Sequence, residues 1–496
     1  MSGLIVHDYD IRVVPLRTRM PFRYGIAALT EMPQVLVFLD VTVGGARLRG
    51  IAADALPPKW FTKDPSRPYA EDARDMIDVI LNACGLAVAA GGAASVFGLW
   101  REISARQSAW ATERGFPPLL GGFGVSLVER ALIDAQCRAA RIRFADAVRQ
   151  NLLGIELGAL HAELQRAAPR DFLPESPCRR VRVRHTVGLG DPLTDAEIGA
   201  EERLDDGLPQ SLEAAIARYG LTHFKIKVPA EPAVAAERLR RVADVVARGA
   251  AKFAFTLDGN EFLSDVGALR ELWSRIMADG VVASFVGRGL IALEQPLARD
   301  VALGDDAKAE LLHWKDRPPM IVDESDAEVG SARRALDCGY AGTAHKNCKG
   351  VIKGIANACL IELRRRTDGS SLILTAEDLV NFGPVAPLQD MAVVATLGLD
   401  HAERNGHHYI GNMRAYPEPV RLAVLGAHAD VFREDGPGGP PIPDIRDGAL
   451  AVDSIVDAPF GLAPDLDPAW FEPLAAWRPS PAIARDSVLN FGPRDP

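Results

Sequence analysis

Four short apolar runs in this 496-residue chain end in charge. They read Phe224-Lys225-Ile226-Lys227-Val228, Phe255-Thr256-Leu257-Asp258-Gly259-Asn260, Ala292-Leu293-Glu294-Gln295-Pro296 and Ile321-Val322-Asp323-Glu324-Ser325. Three carboxylates delivered this way can meet around one hard cation such as Mg²⁺, which takes oxygen ligands. Two lysines beside such a cation can move protons. Together they point to metal-assisted abstraction of a proton next to a carboxylate.

Each run also has a plainer reading. Side chains in a strand alternate, so Lys225 and Lys227 share one face, which on an exposed strand is only solvated charge. Asp258-Gly259-Asn260 alone reads as a turn. Asp323 and Glu324 compete for the third carboxylate position, since they point to opposite sides if the strand continues through them.

Such side chains must be positioned by buried parallel strands, whose carboxyl ends carry the chemistry of an α/β barrel. From about residue 181 the chain alternates strand and helix. Strands are predicted near 181–187, 223–228, 253–258, 290–294, 319–323, 342–346 and 371–377, with an eighth near 407–411. Ahead of them, Val35–Val43 is a β-rich run closed by Gly44-Gly45, and Ile11–Leu16 is its expected partner. Ser126-Leu127-Val128-Glu129 reads as a capping box that opens a helix over 126–140. Segment 155–180 is charged and proline-containing, and is expected to be a linker or insertion. Gly436–Pro443 holds only Gly and Pro besides Ile442, and is expected to be irregular.

Composition narrows the function. Hydrophobic residues make up 48% and charged residues 25%, as in an ordinary globular protein. A net charge of −10 argues against nucleic-acid and anionic-membrane partners. No apolar stretch reaches the roughly 18 residues of a spanning helix. Met1–Asp8 lacks the pattern of a secretory signal. The six cysteines have no Cys-x-x-Cys spacing and read as reduced thiols of a cytoplasmic protein.

The order Lys-x-Lys, Asp-x-Asn, Glu-Gln-Pro, Asp-Glu-Ser and then Lys346 resembles the muconate lactonizing enzyme/mandelate racemase branch of the enolase superfamily, in its lysine-pair subgroup. The resemblance implies an α/β fold, a (β/α)₇β TIM-like barrel with an α+β capping domain built from the N-terminal region and the C-terminal tail. Residues 1–150 would form the cap, with Pro21-Phe22-Arg23-Tyr24-Gly25 as a loop over the site. Residues 181–415 would form the barrel, and 416–496 would return to the cap.

The resemblance also implies a bound Mg²⁺ held by Asp258, Glu294 and Asp323. Lys227 would be the base on one face of the substrate and Lys346 the acid or base on the other. Lys225 would hold the substrate carboxylate, and Tyr24, Asn260 and Glu377 would contact substrate. Such lysines are expected to have depressed pKa values. The implied activity is racemase/epimerase, cycloisomerase or dehydratase chemistry on a small carboxylic acid, in a homo-oligomer. The alternative is a catalytically silent metal-binding barrel.

The chain departs from the family's pattern in three ways. The family's Lys-x-x-Lys-x-Gly-Gly becomes Lys346-Asn347-Cys348-Lys349-Gly350-Val351, with one glycine. Asp258 and Glu294 lie 36 positions apart, long for one helix and its loops, and extra material is expected at 55–75, 155–180, 297–318 and 415–445. No Asp-x-Asp stands near the expected eighth strand, which counts against a dipeptide. His345 is expected to turn away from Lys346 into the core. His407-His408 is weak as a metal site, and Trp60 fits core and pocket equally.

Overall fold

The computed structural model describes residues 3–24 and 26–479; Met1, Ser2, Gly25 of the expected cap loop, and 480–496 of the expected tail lie outside the described residues. The chain opens with β1 (Leu4–Val14), β2 (Arg17–Tyr24), β3 (Ala27–Glu31), β4 (Gln34–Val43) and β5 (Ala46–Ala55). β4 pairs antiparallel with β1 and β5, while β2 and β3 form a separate hairpin. β4 is an interior strand of its sheet, and its Gln34–Leu39 stretch is buried throughout. Helices α1 (Tyr69–Ala89), α2 (Val96–Glu113) and α3 (Pro118–Ala140) follow.

α3 begins at Pro118, eight residues before the expected start. Ser126 and Glu129 are mid-helix and form no capping box. Ser126 Oγ donates to Phe123 O (2.7 Å), and Glu129 accepts from Ile352 N. Gly121, Gly122 and Gly124 weaken the helical signal in the sequence, yet two of them serve close packing. A Cβ on Gly124 would lie 2.0 Å from Val79 O of α1, and one on Gly121 2.8 Å from the Ala111 Cβ of α2. Similarly, Gly50 of β5 admits Ala131 of α3, whose carbonyl a Cβ would meet at 2.0 Å.

Eight parallel strands form the second body: β6 (Arg180–Val187), β7 (His223–Lys227), β8 (Ala254–Asp258), β9 (Leu290–Glu294), β10 (Met320–Val322), β11 (Gly342–His345), β12 (Ile373–Ala376) and β13 (His401–Glu403). They pair in the order β12-β11-β10-β9-β8-β7-β6-β13. The sheet curls until β12 and β13 lie side by side. Each of the eight strands is followed by at least one helix. Small and branched side chains, Ala292, Ile321 and Ala344 with Ile291 and Ile373, fill the interior. The long step from Asp258 to Glu294 holds two helices, Val266–Ala278 and Gly280–Gly289.

The eighth strand is a correction. It is His401–Glu403, and 407–411 instead begins in a helical turn, Gly406–Tyr409. The Tyr409 ring is buried because it packs on Phe22 of the β2–β3 hairpin (centroids 4.2 Å). The true strand is short and polar, so no apolar run marks it.

Segment 155–180 is not a free linker. Its turns bury Leu157 and Leu164, and His161 bonds Asn357 (3.0 Å) of helix Val351–Asp368. Pro441–Pro443, expected to be irregular, pairs antiparallel with Phe432–Glu434. Such a short edge ladder tolerates proline. Ala449–Ala451 pairs with β6, and Glu472–Pro473 with β1. Among the described residues no helix is long and apolar enough to cross a membrane.

The α3 glycines give a paired test. Gly124→Ala pushes a methyl into a backbone carbonyl and should destabilise the protein by about 1–3 kcal/mol or more. Gly122 is exposed with nothing within 4 Å of a Cβ, so Gly122→Ala should stabilise by about 1 kcal/mol. Thermal or urea unfolding of both variants reads the two signs.

Candidate active site

The carboxyl ends of the strands meet the cap at a small cavity. Phe22, Tyr24, Pro57 and Trp60 line it from the cap side. Lys225, Lys227, Asp258, Asn260, Asp323, Glu324, Lys346 and Glu403 line it from the barrel side.

Lys225 is at the centre. Its Nζ donates to Glu377 Oε2 (2.6 Å), Glu294 Oε1 (2.8 Å) and Glu403 Oε2 (3.1 Å), and lies 3.0 Å from Asp258 Oδ2. Lys227 donates to Asp258 Oδ2 (2.6 Å). Lys346 donates to Asp323 Oδ2 (2.5 Å), lies 3.1 Å from Glu377 Oε2, and stands 4.9 Å from the centre of the Trp60 ring. Lys349 holds the other Asp323 oxygen (2.9 Å).

Oxygens of Glu294, Asp323 and Glu377 lie within 4.8 Å of one another. Asp258 is outside that group. Lys227, Lys225 and Asn260 hold it, Asn260 donating from N (2.9 Å) and Nδ2 (3.2 Å). Glu294 Oε2 and Glu324 Oε2 are buried without a partner.

The Glu-Gln-Pro and Asp-Glu-Ser motifs interlock through Gln295. Its Oε1 accepts from Asp323 N (2.8 Å) and Ser325 N (3.1 Å), and its Nε2 donates to Ser325 Oγ (2.7 Å). β10 ends at Val322, so Asp323 and Glu324 do not follow strand alternation; both are buried and both line the cavity.

Charge sets the protonation pattern. Burial alone would lower the Lys225 and Lys346 pKa values, yet surrounding carboxylates hold both well above the ordinary lysine value. Around Lys346 the acids thus act against the depression expected of an acid/base lysine. Burial and the neighbouring Glu377 push Glu294 well above the carboxylate range, and burial and Asp323 push Glu324 up to about 7. Glu377 is held low against burial by Lys225, Lys346 and Arg184.

Among the other expected site residues, Glu377 is buried at the end of β12 rather than on the surface. Tyr24 presents its ring to the cavity, and its hydroxyl donates to Pro58 O (2.6 Å). His345 is buried against Asn347 (3.0 Å). His407 bonds His185 (3.1 Å) in a buried histidine cluster away from the cavity lining.

Two residues went unread in the sequence. Glu403 closes β13 and accepts from Thr186 (2.5 Å), and Arg184 on β6 donates to Glu377 Oε1 (2.6 Å). Glu403 carries the same mark as the other acids, a charge at a strand end, but on a strand placed too late. Arg184 is hidden in the alternation Arg180-Val181-Arg182-Val183-Arg184, whose first two arginines are exposed.

The single glycine after Lys346 suffices for its loop. Asn347–Lys349 makes one tight turn, Gly350 takes φ +104°, and helix Val351–Asp368 starts at once. Glu129 of the cap receives its Ile352 N–H. Its backbone lies in the left-handed half of φ space, which favours glycine, and a Cβ would sit tightly against Glu129 Oε2 at 3.3 Å.

Taken together, the curled parallel sheet and its antiparallel cap match the fold of solved structures of the mandelate racemase/muconate lactonizing enzyme type. The chain is similar to 2-chloromuconate cycloisomerase from Rhodococcus opacus, with TM-score 0.55 and 18% identity over 90% of this chain and 94% of that one. It is similar to muconate lactonizing enzyme from Pseudomonas fluorescens complexed with muconolactone (TM-score 0.54, 16% identity, 90% and 94% covered). A third is an enolase from Bradyrhizobium complexed with magnesium and mandelic acid (TM-score 0.53, 14% identity, 91% and 94% covered). At these identities the likeness is one of fold. No family model and no curated protein matches the chain.

Glu129 predicts a pH dependence of stability. Burial raises its pKa to about 7. The folded protein therefore holds this proton more tightly than the unfolded chain. The resulting stabilisation is fully present below the ordinary glutamate pKa and is lost as pH rises to about 7. Glu129→Gln removes the titration. Urea unfolding should show the variant gaining on the parent by about 3 kcal/mol between pH 4.5 and 7, then running parallel above.

Proposed function

We propose that this chain is a Mg²⁺-dependent enzyme of the isomerase or lyase type that removes a proton α to the carboxylate of a small carboxylic acid. The observation that carries the reading is the pair Lys227 and Lys346. They come from the ends of β7 and β11, with the buried acids at the ends of β8, β9 and β10 between them in the strand order. The range of outcomes is racemisation or epimerisation, cycloisomerisation, or dehydration.

The donor set fits a hard cation. It consists of carboxylate oxygens, and Glu294 Oε2 is buried without a partner. Asp258, Glu294 and Asp323 would hold the ion, with Glu377 beside them. When bound, Mg²⁺ would supply Lewis-acid stabilisation of the negative charge that develops on the substrate carboxylate.

The chain's own residues do the rest. Lys225 offers an ammonium to the substrate carboxylate. Lys227 and Lys346 take or deliver the α-proton on opposite faces. Lys346 is held charged by Asp323 and Glu377; when those acids engage elsewhere, burial favours its neutral, proton-accepting form. Asn260 keeps Asp258 oriented. Tyr24, Trp60 and Phe22 exclude water, which strengthens each charge interaction in the site.

Exchange into deuterated water tests the chemistry. With Mg²⁺ and a library of carboxylic acids, the protein should exchange the α-proton of at least one acid. Lys346→Ala and Lys227→Ala should each lose exchange on one face, by about 10²–10⁴-fold. Full exchange in both single variants would remove the lysines as bases. Ion binding without any exchange would leave the silent barrel.

Ion binding has its own readout. Mg²⁺ or Mn²⁺ should raise the thermal midpoint, by linkage of binding to folding. Glu294→Gln and Asp323→Asn should abolish that shift. Comparing Asp258→Asn with Glu377→Gln shows which of the two acids completes the site, since only a ligand's loss removes the shift.

A further inference from the structure

The segment after β5 carries Trp60 into the cavity, and an ion pair on the barrel grips its backbone. Arg299 presents its guanidinium edge-on to Glu261, Nε to Oε1 (2.6 Å) and Nη2 to Oε2 (2.7 Å). The same guanidinium donates outward to Trp60 O (2.9 Å) and Phe61 O (3.0 Å). Lys63, from the gripped segment itself, donates back to Glu261 Oε2 (3.1 Å) and to Asn260 O. Four contacts thus tie residues 60–63 to the ends of β8 and β9.

The backbone at Glu261 is built for this. Asn260 (φ +44°) and Glu261 (φ +63°) are consecutive non-glycine residues in the left-handed region. That conformation is costly for residues with a Cβ and persists only when its surroundings impose it. Here it turns Asn260 back onto Asp258 while sending the next side chain out to the cap. One strained dipeptide serves the reacting groups and the wall above them. Side-chain hydrogen bonds at the barrel end of the cap segment converge on Glu261, which is 8% exposed.

We propose that Arg299 and Glu261 are positioning residues that set Trp60 against Lys346 and so fix the apolar wall of the pocket. With Phe22, Leu379 and Val380 completing that wall, the site favours an acid whose second substituent is compact and apolar. The role of Lys346 as a reacting group rests on the proposed function; the placing of Trp60 by the clamp does not.

The test uses the full chain without ligand first. Acrylamide quenching of Trp60 is taken as the difference between each protein and its Trp60→Phe counterpart. Arg299→Ala should raise that quenching several-fold and speed chymotryptic cleavage within 60–63 by about tenfold, since charge-assisted bonds that close the segment are lost. Arg299→Lys should not restore either, because an ammonium cannot reproduce the fork and both carbonyl contacts. Glu261→Gln keeps the shape and weakens the pair, giving an intermediate value. It carries the test should Arg299→Ala fail to fold.

The Mg²⁺-induced thermal shift should persist in Arg299→Ala, while α-proton exchange falls. Unchanged Trp60 quenching in folded Arg299→Ala and Glu261→Gln would overturn the clamp. Absence of exchange in the parent protein would overturn the proposed function and leave the clamp to be decided by quenching.

Discussion

An ammonium buried among four carboxylates governs this structure. Lys225 is 2% exposed and reaches Glu377, Glu294, Asp258 and Glu403, which come from four different strand ends. Removing a charge from water costs several kcal/mol unless partners replace the solvent. Each of those acids would face the same penalty alone. The strand ends therefore converge because their charges have no other way to be buried. Arg184, Lys227, Lys346 and Lys349 extend the same balance to the rim. The barrel's hydrophobic interior brings the strands together, but the ionic layer sets how their ends meet.

The cap completes that layer instead of merely covering it. α3 lies between the cap sheet and the barrel, and glycines at its contacts let backbones approach at distances that any larger residue forbids. Through Glu129 it starts the helix that follows the Lys346 loop. Through Arg130, which pairs with Asp54 (2.7 Å), it ties itself to β5, and the Ala55 N–H beside Asp54 donates to Asn381 of the loop after β12 (3.1 Å). The ordering of the carboxyl end of the barrel thus depends on residues far away in sequence.

Most of the first seven barrel strands were legible because they join an apolar run to a polar end, a pattern that burial demands, while β6 showed itself by alternating Arg and Val. The charged ends of four of them were legible as members of one site for the same reason: an acid or a lysine pair stands where apolar residues stop. β13 was not legible. His401 bonds Arg184 and Glu403 bonds Lys225, so two polar side chains of its three residues replace the apolar run that marks most of the others. The buried stretch around Tyr409 drew the assignment because its packing against the cap hairpin produces the same composition as a strand. Ser126 and Glu129 have the spacing of a helix start, and tertiary contacts use them mid-helix. Which oxygens gather around Lys225 depends on the register between strands, and the Arg299 clamp on loop conformations, neither of which a linear pattern encodes.

Gln295 has a consequence for how such a site can change over evolutionary time. It is a non-glycine residue at φ +35°, and its amide reads the backbone of Asp323 and Ser325 and the hydroxyl of Ser325 at once. A replacement at position 295 frees the N–H groups that aim Asp323, and a replacement at 325 strands the Gln295 amide. Neither tripeptide can drift alone without disturbing an acid on the neighbouring strand. The two segments, 28 residues apart between Gln295 and Asp323, behave as one heritable unit. A lineage that alters either should carry a matched change in the other.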